Sequence, residues 1–400
     1  MILDSTDTLP TDTYMEIEDD PDKEYEDCLV CSYIPFTPDI SPDQFQALSE
    51  RSHITVGQVR ELKPEFQQLQ GVAVISNYRY VLMSHRPTPL VEIYNTETET
   101  YSKVLPPVPP MRVNQCIFHR DLAIVFCAGG DTKLVYKQKI FLLVGFEGAK
   151  AESRPSREHL FVKMKAKSIH GLQYVFYPCI ISKTGREVAS FVRLPLSELY
   201  FTVEEAHKHN RRQKFSVADY VQTQGMEDYT AVAFTEDYLY AVWANGVMKR
   251  LSLDRWFDLV EKSPERFLPF CPSMIGTAGT SLVCVVGFNT SNSKARVSIL
   301  RGLLLLADMV IEIEGLKESD VSQGFMKSWQ QRGTNFFLVC LRSAGFHVYA
   351  WRKDTLKFVK SVQPPEQTSF TRRIHSIGVG RFRVFTTDGK YFNLNYNPGF

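Results

Sequence analysis

Seven short hairpins recur along this chain at a spacing of about 50 residues, and this repetition limits the folds that the chain can adopt. Each hairpin has two apolar runs of strand length, separated by turn-forming residues. The clearest copies turn at Asn245-Gly246, at Asp388-Gly389 and at Ser343 to Gly345. Asn-Gly and Asp-Gly favour a type I′ turn, in which both central residues have positive φ. The other turns are expected near residues 87, 130, 184 and 291.

Short strands at this period are typical of a propeller or a repeat array, and 400 residues suit one closed unit of that kind. We therefore predict an all-β fold, a seven-bladed β-propeller that occupies residues 72–400. The last unit has room for only three strands before Phe400. A closed ring needs a fourth strand, because closure removes an exposed edge. We predict that segment 28–36, within an N-terminal region 28–71, supplies it.

The N-terminal region also contains a helix signal. Ser41 is a candidate helix cap, Pro42 suits the first turn, and Phe45 and Leu48 fall on one face. A short helical segment is therefore expected before the first blade.

Two units resemble the end of a WD40 repeat. VEIYNTETETYSKVLP (91–106) places Tyr94-Asn95 where the family usually has a Trp-Asp pair, and FHVYAWRKDTLKFVKSV (346–362) places Tyr349-Ala350 there. The chain is thus similar to a degenerate WD40-like propeller. The resemblance implies a rigid platform for partner proteins, with binding on the top face, at the channel mouth or at the blade edges.

Residues 1–27 carry eleven acidic residues and one basic residue, whereas the rest of the chain has an excess of Lys and Arg. We interpret this segment as a disordered acidic tail. Alternating apolar and acidic residues offer a second interpretation, a motif that docks into a basic groove. Its candidate docking residues are Tyr14, Met15, Ile17, Asp19 and Asp20.

Three polar insertions with helical spacing interrupt the blades at 194–222, 253–267 and 316–333. Insertions on a rigid scaffold often carry specificity, so we predict partner contacts by Trp256, Phe257 and Trp329. The run 207–215 is strongly basic and is either a solvated loop or an electrostatic patch for nucleic acid or an acidic protein. The candidate basic patch comprises Lys208, Arg211, Arg212, Lys214, Lys163, Lys165 and Lys167.

Motifs of catalysis and cofactor binding are not found in the sequence, which has no Gly-x-Ser-x-Gly, phosphate loop or dinucleotide fingerprint. Cys28-x-x-Cys31 is half of a zinc site without a second pair. Arg372-Arg373 is similar to the paired arginines of phosphoinositide-binding propellers, but the surrounding residues differ. We predict a protein that is not an enzyme, with no catalytic residues, no metal and no cofactor.

The cysteines favour a reducing compartment. Cys127, Cys284 and Cys340 lie in apolar runs and are expected to be small buried side chains. The acidic start lacks the pattern of a signal peptide, and the longest apolar stretch is about half of the ~20 residues that a membrane span needs. An intracellular location, in the nucleus or the cytoplasm, is expected.

The leading functional hypothesis is a scaffold subunit of a larger multiprotein complex, which binds proteins through the propeller face and the insertions. One alternative is a propeller associated with RNA or DNA through the basic insertion. Another is a substrate adaptor of a ubiquitin ligase, since helices precede the blades. No small-molecule substrate is expected.

Overall fold

In the computed structural model, every helix and strand given below lies within the unit Thr37–Phe400. The other unit, Met1–Phe36, lies outside the described residues, as do the predicted acidic tail and the predicted closing strand at 28–36. The structure describes residues 39–74, 76–84, 90–103, 112–119, 122–128, 134–135, 141–144, 149–151, 174–183, 186–195, 229–235, 237–252, 263–279 and 281–399.

The unit begins with two short helices, α1 (Pro42–Gln46) and α2 (Leu48–Arg51), where the sequence predicts a helical segment. Ser41 caps α1 reciprocally. Its hydroxyl accepts a hydrogen bond from the Gln44 N–H at 3.1 Å, and its own N–H donates to the Gln44 side chain at 2.8 Å. Strands β1 (His53–Val56) and β2 (Arg60–Glu61) and a 3-10 turn (Pro64–Phe66) follow.

The next strands form three sheets. The first is an antiparallel meander of β3 (Leu69–Val74), β4 (Arg79–Ser84), β5 (Leu90–Asn95) and β6 (Thr100–Lys103). The second contains β7 (Arg112–His119), β8 (Leu122–Ala128), β9 (Leu134–Val135) and β10 (Phe141–Val144). The third contains β11 (Ala149–Ala151), β12 (Tyr174–Lys183) and β13 (Arg186–Pro195).

The hairpin predicted near residue 130 is wrong. Strand β8 does not pair with the run that follows this turn; it pairs in parallel with β10, which in turn pairs antiparallel with β9. A parallel neighbour requires a longer connection than a tight turn allows, and turn residues in the sequence do not reveal that choice.

The following sheets are antiparallel meanders in chain order. Two of them comprise β14 (Tyr229–Phe234), β15 (Tyr238–Trp243), β16 (Val247–Ser252) and β17 (Glu265–Phe267), then β18 (Cys271–Ala278), β19 (Leu282–Asn289), β20 (Lys294–Arg301) and β21 (Leu304–Ile311). After helix α3 (Glu318–Ser322) come β22 (Phe325–Gln331), β23 (Thr334–Leu341), β24 (Gly345–Arg352) and β25 (Thr355–Val362). The last sheet contains β26 (Thr371–Gly378), β27 (Arg381–Thr386) and β28 (Lys390–Asn397).

These sheets are arranged as the blades of a β-propeller. The first strand of a sheet contacts the first strand of its neighbour, along the series β14, β18, β22, β26, β3 and β7. The contact between β26 and β3 brings the last sheet beside the first. The described strands belong to seven sheets.

An N-terminal strap, which we define as residues 39–66, closes the last sheet. Strand β1 pairs antiparallel with β28, from His53 opposite Asn397 to Val56 opposite Leu394. Strand β1 thus supplies the fourth strand of this sheet, and the prediction for segment 28–36, which lies outside the described residues, stays a prediction. The strap also crosses to the preceding sheet, where Lys357 and Lys360 donate hydrogen bonds to the carbonyl groups at the ends of its helices.

The turns predicted as type I′ have a different geometry. Both connections have three residues, 244–246 and 387–389, and only their glycines have positive φ, 88° at Gly246 and 72° at Gly389. The Gly246 N–H donates to the Trp243 carbonyl at 3.0 Å. This pattern fits a type I turn followed by a left-handed glycine, the common three-residue hairpin. A β-carbon on Gly389 would lie 2.3 Å from the Phe66 carbonyl oxygen, so glycine also permits close approach of the strap.

Candidate functional site

Most residues that the sequence singles out for binding lie outside the described residues, and the predictions for them stay predictions. These are the tail residues Tyr14, Met15, Ile17, Asp19 and Asp20, the insertion residues Trp256 and Phe257, and the basic residues Lys163, Lys165, Lys167, Lys208, Arg211, Arg212 and Lys214.

Trp329 is placed differently from the prediction. It lies in strand β22 rather than in a helical insertion, and it is only 9% exposed. Its ring stacks on Phe336 with 5.2 Å between centroids, and it meets Phe382 and Tyr396 edge-on at 5.2 and 5.5 Å. Trp329 is therefore a core residue between two blades, and its surface is not available to a partner.

A loop face is formed where the turns 342–344 and 387–389 lie beside the connection 363–370. The Asp388 carboxylate braces this face, since it accepts hydrogen bonds from Ser369 at 2.7 Å and from Thr386 at 2.5 Å. Burial, the largest single cause, raises the pKa of Asp388, but hydrogen bonds from Thr386, Ser369 and Lys390 together outweigh it, so the pKa is lowered. The Thr387 N–H also donates to the Phe370 carbonyl at 2.9 Å.

A cation–aromatic pair lies on this face, with Phe370 exposed and Arg342 half-buried. The Arg342 guanidinium lies 3.9 Å from the centroid of the Phe370 ring, and Phe370 is 48% exposed. Arg342 also donates to the Gln323 side chain, and its N–H donates to the Asp320 carbonyl at 3.0 Å. The pair is thus held from both sides of the junction between two blades.

Arg372 is the extra residue of a β-bulge in β26, because Thr371 pairs with Thr386 and Arg373 with Phe385. The alternation of side chains along the strand is interrupted there, whereas Ile374 is buried in the core shared with the β22–β25 sheet. Burial, followed by the positive charge of Arg373, lowers the pKa of half-buried Arg372 to about 10. We call Arg342 and Phe370 the junction patch.

The opposite side of β26 faces the first sheet. His375 pairs with Arg383 in the β-ladder, and its ring meets the Tyr80 ring edge-on at 5.7 Å. Arg383 links the two sheets, since it donates to the Asn77 carbonyl at 3.0 Å. Burial, followed by Lys327, Arg373 and Arg383, lowers the pKa of His375 to about 3, so the imidazole is neutral near pH 7.

Replacing His375 with glutamine should reduce the loss of unfolding free energy that the protein shows as the pH falls. The unfolded chain gains a proton on His375 below about pH 6.5, whereas the folded chain resists protonation down to about pH 3. His375 therefore makes its full contribution to the free energy of unfolding above its pKa in the unfolded chain. This contribution is lost as the pH falls, by up to about 2 kcal/mol between pH 7 and pH 5. Urea unfolding of both proteins at these two pH values measures it. Equal losses in the two proteins would contradict this assignment.

The described residues contain neither a candidate metal cluster nor a candidate membrane-spanning helix. Within this part of the chain, no group of three His, Cys, Asp or Glu side chains is placed to hold a metal ion. No helix among the same residues has the length and apolarity needed to cross a membrane. Of the cysteines predicted to be buried, Cys284 and Cys340 are buried, and burial raises the pKa of Cys284.

Comparison with known proteins identifies no family, since no family model and no curated protein matches this sequence. Solved structures do share its general form. The N-terminal domain of Nup159 has a TM-score of 0.46 and 11% identity, over 87% of this chain and 96% of that one. The WD40 β-propeller domain of Doa1 has a TM-score of 0.45 and 10% identity, over 86% of this chain and 97% of that one. A chain from a Saccharomyces cerevisiae complex of Dbp5 with Nup159 and Gle1 has a TM-score of 0.45 and 10% identity, over 87% of this chain and 96% of that one.

Sequence reasoning missed the junction patch as a unit. Arg342 belongs to the turn after β23 and Phe370 to the connection into β26, so the two residues lie far apart in the sequence. The available signal was an aromatic residue, Phe370, in a connection between two predicted units.

Proposed function

We propose that this chain is a non-catalytic scaffold subunit of a larger complex in the nucleus or the cytoplasm, and that it binds partner proteins through the loop face of its propeller. The observation that supports this proposal is the Arg342–Phe370 pair, whose aromatic ring is exposed, on a braced surface. Arginine and aromatic side chains are enriched in the centres of protein interfaces, where a few residues supply most of the affinity.

Rigidity of the pair adds to the argument. The hydrogen bonds of Asp388 and Thr387 hold the connection that carries Phe370, and Gln323 and Asp320 hold Arg342. A surface that is already ordered loses less conformational entropy on binding than a mobile loop does. The geometry therefore favours a binding platform.

Replacing Phe370 with alanine should remove partners without unfolding the protein. The side chain is half-exposed, so its truncation costs little stability, whereas the loss of an interface anchor weakens binding by about 2 kcal/mol or more. Purification of the tagged full chain from its own cells, with quantitative mass spectrometry of the copurifying proteins, measures the effect. We expect a fixed set of proteins with the native chain and a depleted set with the variant.

Tyr78→Ala is the matched control. Tyr78 is 38% exposed and lies in the turn between β3 and β4, at the opposite end of the sheets from the loop face. It should keep the full set of partners. Equal depletion by both variants, or by neither, would contradict binding through the loop face. Loss of the partners after nuclease treatment would instead favour the alternative of a nucleic-acid-associated propeller.

A further inference from the structure

We infer that the groove between the β18–β21 sheet and the β22–β25 sheet is a docking site for a short amphipathic helix of a partner protein. This inference goes beyond the proposed function, because it concerns the outer rim of the propeller and not the loop face. Strands β21 and β25 are the last strands of these two sheets, and they contact each other. We call the groove between them the rim groove, and its walls carry Leu304, Leu306, Met309, Leu356 and Phe358.

The two walls of the rim groove enclose a single apolar core. Leu306 and Met309 of β21 and Leu356 of β25 are half-buried and pack against one buried cluster, which includes Tyr349. The Phe358 ring meets the Tyr349 ring edge-on, with 5.6 Å between centroids. Phe358 therefore lies over the same core as the residues of the opposite wall.

Leu304 faces the same groove. Its neighbour Leu305 packs against the core shared with the β14–β17 sheet, and adjacent residues of a strand point to opposite faces. The bulge in β21 lies beyond Leu305, so it does not disturb this alternation. Leu304, and Arg301 opposite it in the ladder, therefore face the β22–β25 sheet.

The rim groove leaves apolar surface uncovered within the part of the chain that the structure describes. Leu304 is 63% exposed and Phe358 is 42% exposed. A single exposed apolar side chain is ordinary on a protein surface, whereas several that share one groove are typical of an interaction site.

The groove on the other side of the β22–β25 sheet shows what such a space accepts. There the strap places Phe45 of α1 and Leu48 of α2, three positions apart, in the core shared with the last sheet. Val359 of β25 belongs to that core and is only 2% exposed. A helical segment with apolar residues at i and i+3 thus fills one groove of this propeller, and the rim groove is the corresponding space beside the same sheet.

Two equivalent positions distinguish the grooves. Strands β21 and β25 both follow a two-residue turn, and the positions are the third and fifth ladder pairs from that turn. In β25 they hold Lys357 and Lys360, which donate hydrogen bonds to carbonyl groups of the strap. In β21 they hold Ala307 and Met309, which offer apolar contacts only. The occupant of the rim groove is therefore expected to present apolar side chains where the strap presents carbonyl groups.

Charge complementarity specifies one end of the partner helix. Arg301 is exposed at the turn end of the groove, and it forms no ion pair with any residue that the structure describes. Its equivalent beside the strap, Arg352, is only 8% exposed. A carboxylate on the end of the partner helix that lies beside Leu304 would pair with Arg301.

A second copy of this chain does not offer such a helix among its described residues. Helices α1 and α2 are already packed on their own propeller through Phe45 and Leu48. Helix α3 carries Glu318 and Asp320 in its first turn, and its apolar residue Val321 is buried in its own core. The partner is therefore a different protein.

Photo-crosslinking from position 358 identifies the occupant. The tagged full chain is expressed in its own cells with p-benzoylphenylalanine in place of Phe358, and crosslinked peptides are sequenced by mass spectrometry. The same substitution at Phe267, which is 67% exposed on β17, is the control. We expect position 358, but not position 267, to capture a segment of another protein with apolar residues at i and i+3 or i+4 and a carboxylate beside them.

A labelled synthetic peptide of the captured segment then tests the chemistry by fluorescence anisotropy with the purified full chain. We expect Leu304→Ser and Phe358→Ala each to weaken binding by about tenfold or more, and Arg301→Gln by about threefold. Proline in the middle of the peptide should weaken binding at least tenfold, because it breaks a helix. Phe267→Ala should leave affinity unchanged, and urea unfolding establishes that each variant is folded.

Several results would overturn the inference. They are equal capture from both positions, no capture, capture of another part of this chain or of a second copy, and capture of a segment that proline does not weaken. Unchanged affinity in Leu304→Ser and Phe358→Ala would overturn it as well. The test of the loop face uses Phe370→Ala and is independent of these outcomes. If that variant loses its partners while the rim groove binds nothing, the scaffold proposal stands without this second surface.

Discussion

Replacing Trp329 with alanine should lower the free energy of unfolding by about 3–5 kcal/mol, the range for a large aromatic residue removed from a core. Its ring fills the space among Phe336, Phe382 and Tyr396, at the boundary between the β22–β25 sheet and the last sheet. The cavity left behind would separate two blades that share one core. Urea unfolding, followed by tryptophan-independent circular dichroism, measures the change.

Phe370→Ala is the matched control for this prediction. Phe370 is also an aromatic residue, but it is 48% exposed, so its truncation should change stability by no more than about 0.5 kcal/mol. The two variants should therefore separate stability from binding. A Trp329→Ala protein of native stability that had lost its partners would support the original interpretation of Trp329 as a contact residue and contradict its assignment to the core.

Replacing Lys63 with methionine should also destabilise the protein by about 3–5 kcal/mol, because it leaves a buried carboxylate without its counterion. Lys63 lies in the N-terminal strap and forms an ion pair with Glu92 of β5, whose side chain is only 2% exposed. The ammonium group also lies 4.8 Å from the centroid of the Tyr101 ring, and the Lys63 N–H donates to the Tyr101 hydroxyl at 2.9 Å. The variant should therefore loosen the strap that carries the closing strand β1.

A double-mutant cycle distinguishes the ion pair from simple packing. Adding Glu92→Leu to Lys63→Met removes the orphaned charge and should recover much of the lost stability, because an apolar pair of similar volume can replace a buried ion pair. The exposed pair Arg60–Glu99, with side chains 50% and 60% exposed, is the control, and its disruption should have little effect. If the loss of unfolding free energy in the double variant equalled the sum of the losses in the two single variants, the proposed role of the pair would be contradicted.

The repeated hairpins could be predicted from the sequence because turn chemistry and strand periodicity are local. Apolar runs of strand length separated by turn-forming residues favour neighbouring antiparallel strands. The four strands of the first sheet and the hairpins around Gly246, Ser343 and Gly389 follow this rule. The capped helix at Ser41 also depends only on residues close in sequence.

The closing strand could not be predicted in the same way. His53–Val56 is short and mixed in polarity, and its burial alternates between exposed and half-buried positions. The more apolar segment 28–36 therefore seemed the better strand. What selects His53–Val56 is its place in space, since α1 and α2 dock on the preceding sheet and deliver the chain to the edge of β28.

The sequence by itself determined that this chain forms a propeller of short antiparallel strands, because period and turn residues act within a few positions of one another. Only the tertiary structure decided which residues meet across blade junctions. It buried Trp329 in a core and brought Arg342 beside Phe370. Such contacts depend on how neighbouring sheets pack, and the packing of one sheet on another leaves no periodic signal in the chain.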